Sequence, residues 1–168
     1  MIGICSAYFN PLHNGHLKYL YESSLNLVRN CIESKDKSLL IAIINNDEQV
    51  KFKGGVPFLD EDIRYSIVQN LKMVDMAWMS VDKDESVAKT IQDIITYRAK
   101  TNELIYFFNS GDQKEPNPQE DKVCKKYGIE QVFLDLPKIN SSSEILNKVG
   151  KEWHERYMRS MTPVQDKF

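Results

Sequence analysis

Short apolar, β-branched or aromatic runs alternate along this chain with longer stretches in which apolar residues recur every three to five positions. The short runs, Ile2 to Tyr8, Leu39 to Asn45, Val74 to Met79, Leu104 to Phe108 and Gln131 to Leu134, predict strands. Between the first two, Leu17, Leu20, Tyr21, Leu25 and Val28 mark one face of a helix. The same period predicts helices over about Glu61 to Leu71, Ser86 to Arg98 and Pro118 to Tyr127. A last helix is expected from about Ser141 to at least Arg159, with a bend near Gly150.

Repeated strand and helix alternation predicts right-handed βαβ crossovers, and with them a Rossmann-like three-layer α/β/α fold around a five-stranded parallel sheet. The run LLIAII suits a central strand covered on both faces. In such sheets ligands bind at the carboxyl ends of the strands, where the strand order reverses. No repeat or linker divides the sequence, so a single domain over residues 1–160 is expected, followed by a frayed tail, 161–168. The segment from Gly111 to Gln119, with two prolines and several polar residues, reads as a functional loop.

Composition changes this picture mainly by exclusion. The chain has 168 residues, enough for one sizeable core, with 42% hydrophobic and 27% charged positions, which argues against disorder and coiled coil. A net charge of -2 and a pI near 5.9 supply no broad basic field, so nucleic acid is not expected as a partner. Cys5, Cys31 and Cys124 lie far apart, with no Cys or His at metal-ligand spacing. An odd, scattered set suits a reduced cytoplasmic setting. The segment MIGICSAYFN lacks a basic n-region, and the longest apolar run, Leu39 to Ile44, falls far short of the roughly 20 residues a membrane helix needs, so no targeting segment or membrane anchor is expected.

The candidate chemistry lies in Ala7-Tyr8-Phe9-Asn10-Pro11-Leu12-His13-Asn14-Gly15-His16, where the first strand ends and the first helix begins. Two of three histidines stand three apart around a glycine; composition alone gives that pattern a chance of roughly 0.002. A helix start offers unpaired N–H groups and a partial positive charge, which together hold phosphate. Residues 13 and 16 project from one side of that turn, and Gly15 leaves room for a ligand to approach. A lone histidine here would most often be a cap or a surface residue; the pair with its glycine points to charge stabilisation on a phosphoryl group.

The segment F-N-P-L-H-N-G-H resembles the H-x-G-H signature of the nucleotidyltransferase superfamily. The likeness continues in order. Lys51-Phe52-Lys53, then Glu61-Asp62-Ile63-Arg64 and Leu71-Lys72-Met73-Val74-Asp75, are similar to the K-x-K, E-x-R and R-Y-V-D segments of small bacterial cytidylyltransferases. Ser110-Gly111-Asp112 is similar to their G-D-D, and Asn140-Ser141-Ser142-Ser143-Glu144-Ile145 to their I-S-T-T-x-I. The sequence departs from the pattern at Ala7, Tyr8 and Asn10, where the family has Gly, Thr and Asp, and at Leu136, where it has Arg. F-N-P itself occurs in the adenylyltransferase branch.

The resemblance implies in-line attack by an acceptor phosphate on the α-phosphorus of a nucleoside triphosphate, with release of pyrophosphate. It assigns His13, His16 and Lys53 to catalysis. Tyr8, Phe9, Asn10, Gly15, Lys138, Ser141, Ser142 and Ser143 go to the nucleotide, Lys138 standing in for the arginine missing at Leu136. Lys51, Arg64 and Asp112 go to the acceptor. Lys51 and Lys53 are read on one face of an extended segment leaving the second strand. The three serines suit both a helix cap and a phosphate site, and the fork of Arg64 suits a phosphate clamp. Mg²⁺ is expected bound mainly to the triphosphate, with no metal site of the chain's own. A homodimer is expected from the same likeness.

Three readings of function stay open. Cytidylyl transfer from CTP to a glycerol-3-phosphate-like acceptor is favoured by K-x-K and E-x-R, and adenylyl transfer from ATP by F-N-P. A catalytically inactive nucleotide-binding or regulatory module is suggested by Ala7, Tyr8 and Leu136.

Overall fold

The computed structural model describes residues 1–34, 37–98, 103–110, 115–137 and 139–161. Five parallel strands form the expected sheet: β1 (Ile2–Ala7), β2 (Leu39–Ile44), β3 (Met76–Met79), β4 (Ile105–Ser110) and β5 (Glu130–Leu134). Their order is β3-β2-β1-β4-β5, so the chain leaves β1 in one direction and returns beyond it at β4. That reversal opens the crevice between the carboxyl ends of β1 and β4.

Among the described residues six helices connect and flank the strands: α1 (Asn14–Ser34), α2 (Asp47–Phe52), α3 (Glu61–Gln69), α4 (Ala88–Arg98), α5 (Pro118–Tyr127) and α6 (Ser142–Met161). Two apolar cores sandwich the sheet. One joins Cys5, Ala42, Ile44 and Phe108 to Leu20 and Leu27 of α1 and Val68 of α3. The other joins Ile2, Ile4, Ile41, Ile43, Ile105 and Phe107 to Ile91 and Ile94 of α4 and Cys124 of α5. Strand residues alternate between the two, as the pleat requires. Leu40 through Ile44 are at most 1% exposed, which accounts for the unbroken apolar run in β2.

One expectation needs correction. The segment after β2 is not extended: Asp47–Phe52 is helix α2, and Lys53 is its C-cap. A six-residue helix shows little period, but its cap is well formed. Asn46 accepts from the Gln49 amide while the Gln49 side chain accepts from Asn46 N–H. Gln49 also donates to the carbonyls of Asp84 and Ser86, and Asn46 to those of Ser80 and Asp82, latching α2 to the β3–α4 connection. The last helix, α6, runs as one element through Gly150. The tail expected to fray lies, from residue 162 on, outside the described residues, as do residues 111–114 of the expected loop. No helix among the described residues is long and apolar enough to cross a membrane.

Candidate active site

At the crevice a cleft of about 520 Å³ is bounded by the end of β1, the start of α1, the turn after α2, the end of β4 and the start of α6. Its floor is set by Tyr19 on α1. The Tyr19 hydroxyl, 5% exposed with its residue, donates to the Phe108 carbonyl and accepts from Ser6 N–H, tying β1 to β4.

His13 and His16 stand together in this cleft. Their rings stack with centroids 3.9 Å apart and planes 23° apart. The backbone N–H of Gly15 donates to His13 Nδ1 at 3.1 Å, which places the proton of the neutral ring on Nε2. A Cβ on Gly15 would lie 2.9 Å from His13 Cε1 and 3.0 Å from Nδ1. The space that the sequence suggested for a ligand is therefore filled by the His13 ring, and the glycine is needed for that packing. Phe9 lies behind His16, 1% exposed, with ring centroids 5.0 Å apart. Its φ of 49° is a left-handed conformation uncommon for a bulky residue.

Burial pulls both imidazoles below their ordinary range. His16 is brought down to about 3, first by desolvation and then by the neighbouring His13, and the pull on His13 is opposed by the Glu144 carboxylate. Both rings are neutral at pH 7, and His16 Nδ1 is buried without a partner among the described residues. A neutral pair of this kind acts through N–H donation rather than as a fixed positive charge.

The start of α6 closes the cleft on one side. Ser141 Oγ accepts from Glu144 N–H at 3.2 Å, and Glu144 Oε2 accepts from Ser141 N–H at 3.0 Å, a reciprocal cap. Ser142 Oγ donates to the Pro11 carbonyl at 3.1 Å, joining α6 to the turn that carries His13. Ser141, Ser142 and Ser143 all line the cleft. Across from them stands Lys53, its Nζ 5.0 Å from the centroid of the half-buried Tyr8 ring. Gly54, at φ 78°, makes the turn that brings this wall round to the cleft.

Several other expected residues are placed differently. Lys51 is exposed on α2 and does not line the cleft. Asn10 does line it, but its amide donates to the Val56 carbonyl at 3.0 Å and accepts from Phe58 N–H at 2.6 Å, pinning the loop before α3.

Arg64 is 1% exposed and directs its fork away from the cleft. Nε donates to the Leu59 carbonyl, Nη1 to the carbonyls of Tyr8 and Asn45, and Nη2 to Asp47 Oδ1. It is a backbone clamp across the ends of β1 and β2 and the start of α2, with four of its five N–H donors spent on protein acceptors and the side chain outside the lining of the cleft. Asp112 and Lys138 lie outside the described residues.

The cleft also contains two asparagines to which the sequence reading assigns no role. Asn109, at the end of β4, is 3% exposed, and its Nδ2 has no partner among the described residues. Asn140 Oδ1 is likewise buried and unpartnered beside the cleft.

Residues 4–155 match the family described as cytidylyltransferase-like. The chain belongs to that family. It is thus a nucleotidyltransferase. It is similar to the FAD synthase of Korarchaeum cryptofilum, with 33% identity over 147 residues covering 85% of this chain and 87% of that one. It is also similar to the FAD synthase of Thermoplasma volcanium, with 29% identity over 155 residues covering 89% and 94%. Among solved structures, the lipopolysaccharide core biosynthesis protein of Thermoplasma volcanium shares the fold, with a TM-score of 0.59 and 21% identity over 82% of this chain and 98% of that chain.

Proposed function

We propose that this nucleotidyltransferase moves AMP from ATP to the phosphate of a phosphorylated acceptor, with flavin mononucleotide as that acceptor. The stacked His13 and His16 pair carries the reading: two neutral N–H donors converge at a helix start, facing the serine-lined start of α6. FAD consists of flavin mononucleotide and AMP joined through a pyrophosphate, so relatives named FAD synthase support ATP over the CTP that K-x-K and E-x-R suggested.

In the proposed reaction the acceptor phosphate oxygen attacks the α-phosphorus and the bond to the pyrophosphate oxygen breaks. His13 Nε2–H and His16 donate to the transferred phosphate and its leaving oxygen as charge builds there. Lys53 supplies the positive charge that the neutral imidazoles lack. The Ser141 to Ser143 turn, with the N–H groups that begin α6, holds the departing pyrophosphate. No protein nucleophile is required; positioning and charge stabilisation suffice. Among the described residues no group of three His, Cys, Asp or Glu side chains could hold a metal. Mg²⁺ would enter on the triphosphate and screen phosphate charge.

The test is pyrophosphate release by the purified chain with ATP or CTP against flavin mononucleotide, nicotinate mononucleotide and glycerol 3-phosphate. ATP with flavin mononucleotide is expected to be the productive pair. Release with CTP and not ATP would overturn the nucleotide assignment.

A further inference from the structure

Asn109 is 3% exposed in the wall of the cleft, and its amide N–H₂ donates to no group among the described residues. A buried donor left unpaired is costly, by about 1–3 kcal/mol, and native structures contain few of them. What would satisfy it depends on which side of the sheet it faces. Ile105 and Phe107 of β4 point into the core formed with α4 and α5. Asn109 continues that alternation. On β1, Ile2 and Ile4 point the same way, so Ser6 and Tyr8 follow them; Cys5 pairs with Phe108, which sets Ser6 beside Asn109.

The phosphate machinery stands on the other side. His16 lies within α1, and Ser142 reaches the Pro11 carbonyl just before that helix. In-line displacement puts the entering and leaving oxygens on opposite sides of the phosphorus. With pyrophosphate at the start of α6, the acceptor enters from the side of Tyr8 and Lys53, which is the side Asn109 faces.

We infer that Asn109 determines acceptor specificity: its amide N–H donates to a ring carbonyl or ring nitrogen of a phosphorylated, planar heteroaromatic acceptor whose ring packs against Tyr8. The inference rests on the proposed reading of the cleft as a nucleotidyl-transfer site. It names a donor for the acceptor's ring where the motifs name only groups for phosphates. A polyol phosphate has no ring to lie on Tyr8, and hydroxyls that need no such buried donor.

The experiment uses the full chain and measures KM for flavin mononucleotide and nicotinate mononucleotide at saturating ATP, KM for ATP, and quenching of flavin fluorescence without ATP. Asn109→Leu and Asn109→Asp both remove the donor at nearly constant volume, and Asn109→Ser keeps a smaller one. The Leu and Asp variants are expected to raise KM for the preferred heteroaromatic acceptor about tenfold, and to weaken flavin quenching alike, while KM for ATP and kcat stay within about twofold. The Ser variant is expected to recover part of the loss, and it carries the test if Leu or Asp fails to fold. An unchanged acceptor KM, a rise in the ATP KM instead, or glycerol 3-phosphate as the only acceptor would each overturn the inference. Wild-type turnover of CTP with flavin mononucleotide would sink the ATP reading and leave this one standing. Turnover of ATP with glycerol 3-phosphate alone would do the reverse.

Discussion

Arg64 Nη2 and Asp47 Oδ1 meet at 2.6 Å, joining α3 to the first turn of α2. The same guanidinium holds the carbonyls of Tyr8 and Asn45, so one side chain fixes the ends of two strands that border the cleft. Removing it leaves those carbonyls and a carboxylate without their donor. Arg64→Ala is expected to cost about 3 kcal/mol of stability in urea denaturation. Arg64→Lys should restore only part, because an ammonium cannot reach all four acceptors at once. A variant as stable as wild type would show that the clamp is not needed.

Gly15→Ala would force its Cβ within 2.9 Å of the His13 ring and break the bond from Gly15 N–H to Nδ1. Pyrophosphate release should fall by about tenfold to a hundredfold, since misplacing a positioned group by an ångström has that effect. Thermal stability should hold, because alanine is the better helix former. An undiminished rate would mean that the position of His13 is immaterial.

His16→Ala should remove about 3 kcal/mol of transition-state stabilisation, on the order of a hundredfold in kcat/KM, without unfolding the chain. Matching pyrophosphate release in wild type and variant would take His16 out of the reaction.

The same residue makes stability depend on pH. His16 titrates near 3 in the folded chain because of burial and the adjacent His13, against an ordinary value of 6.5. The unfolded chain takes up the proton first as pH falls, so folding is most favoured above about 6.5 and weakens steadily toward 3. Between pH 7 and 5 this one group should withdraw about 2 kcal/mol. Urea titrations of wild type and His16→Asn across that range would read the effect as a flatter slope in the variant; parallel slopes would contradict it.

Lys53 and Lys51 offer an internal contrast. Lys53 lines the cleft beside Tyr8, and Lys51 does not. Lys53→Ala should raise KM for the phosphorylated substrates about tenfold, whereas Lys51→Ala should leave the kinetics within about twofold. Equal losses in the two variants would show that net charge matters rather than placement.

The sheet was legible because each strand carries its signal locally: LLIAII can be read without knowing what covers it. The histidine pair was legible for a similar reason, since residues three apart at a helix start are neighbours by geometry alone. Helix α2 was not, because six residues show no clear period and its signal lay in the Asn46 and Gln49 cap. Arg64 could be placed on α3, but nothing in its neighbourhood reveals that carbonyls from residues 8 and 45 converge on it. Asn109 is harder still. A single asparagine ending an apolar strand has no spacing to mark it, and only its position at the crevice, opposite Ser6, gives it meaning.

The strand order β3-β2-β1-β4-β5 sets residues 13 and 16 against partners more than ninety positions away in the sequence, Asn109 and the serines that open α6 among them. During synthesis, then, a ribosome would have delivered the histidine pair long before any surface existed to face it. Contacts of such long span close late and slowly. A nascent chain halted after β3 could carry the whole H-x-G-H segment and still grip no substrate, so the capacity to react would arrive only with the final third of the polypeptide.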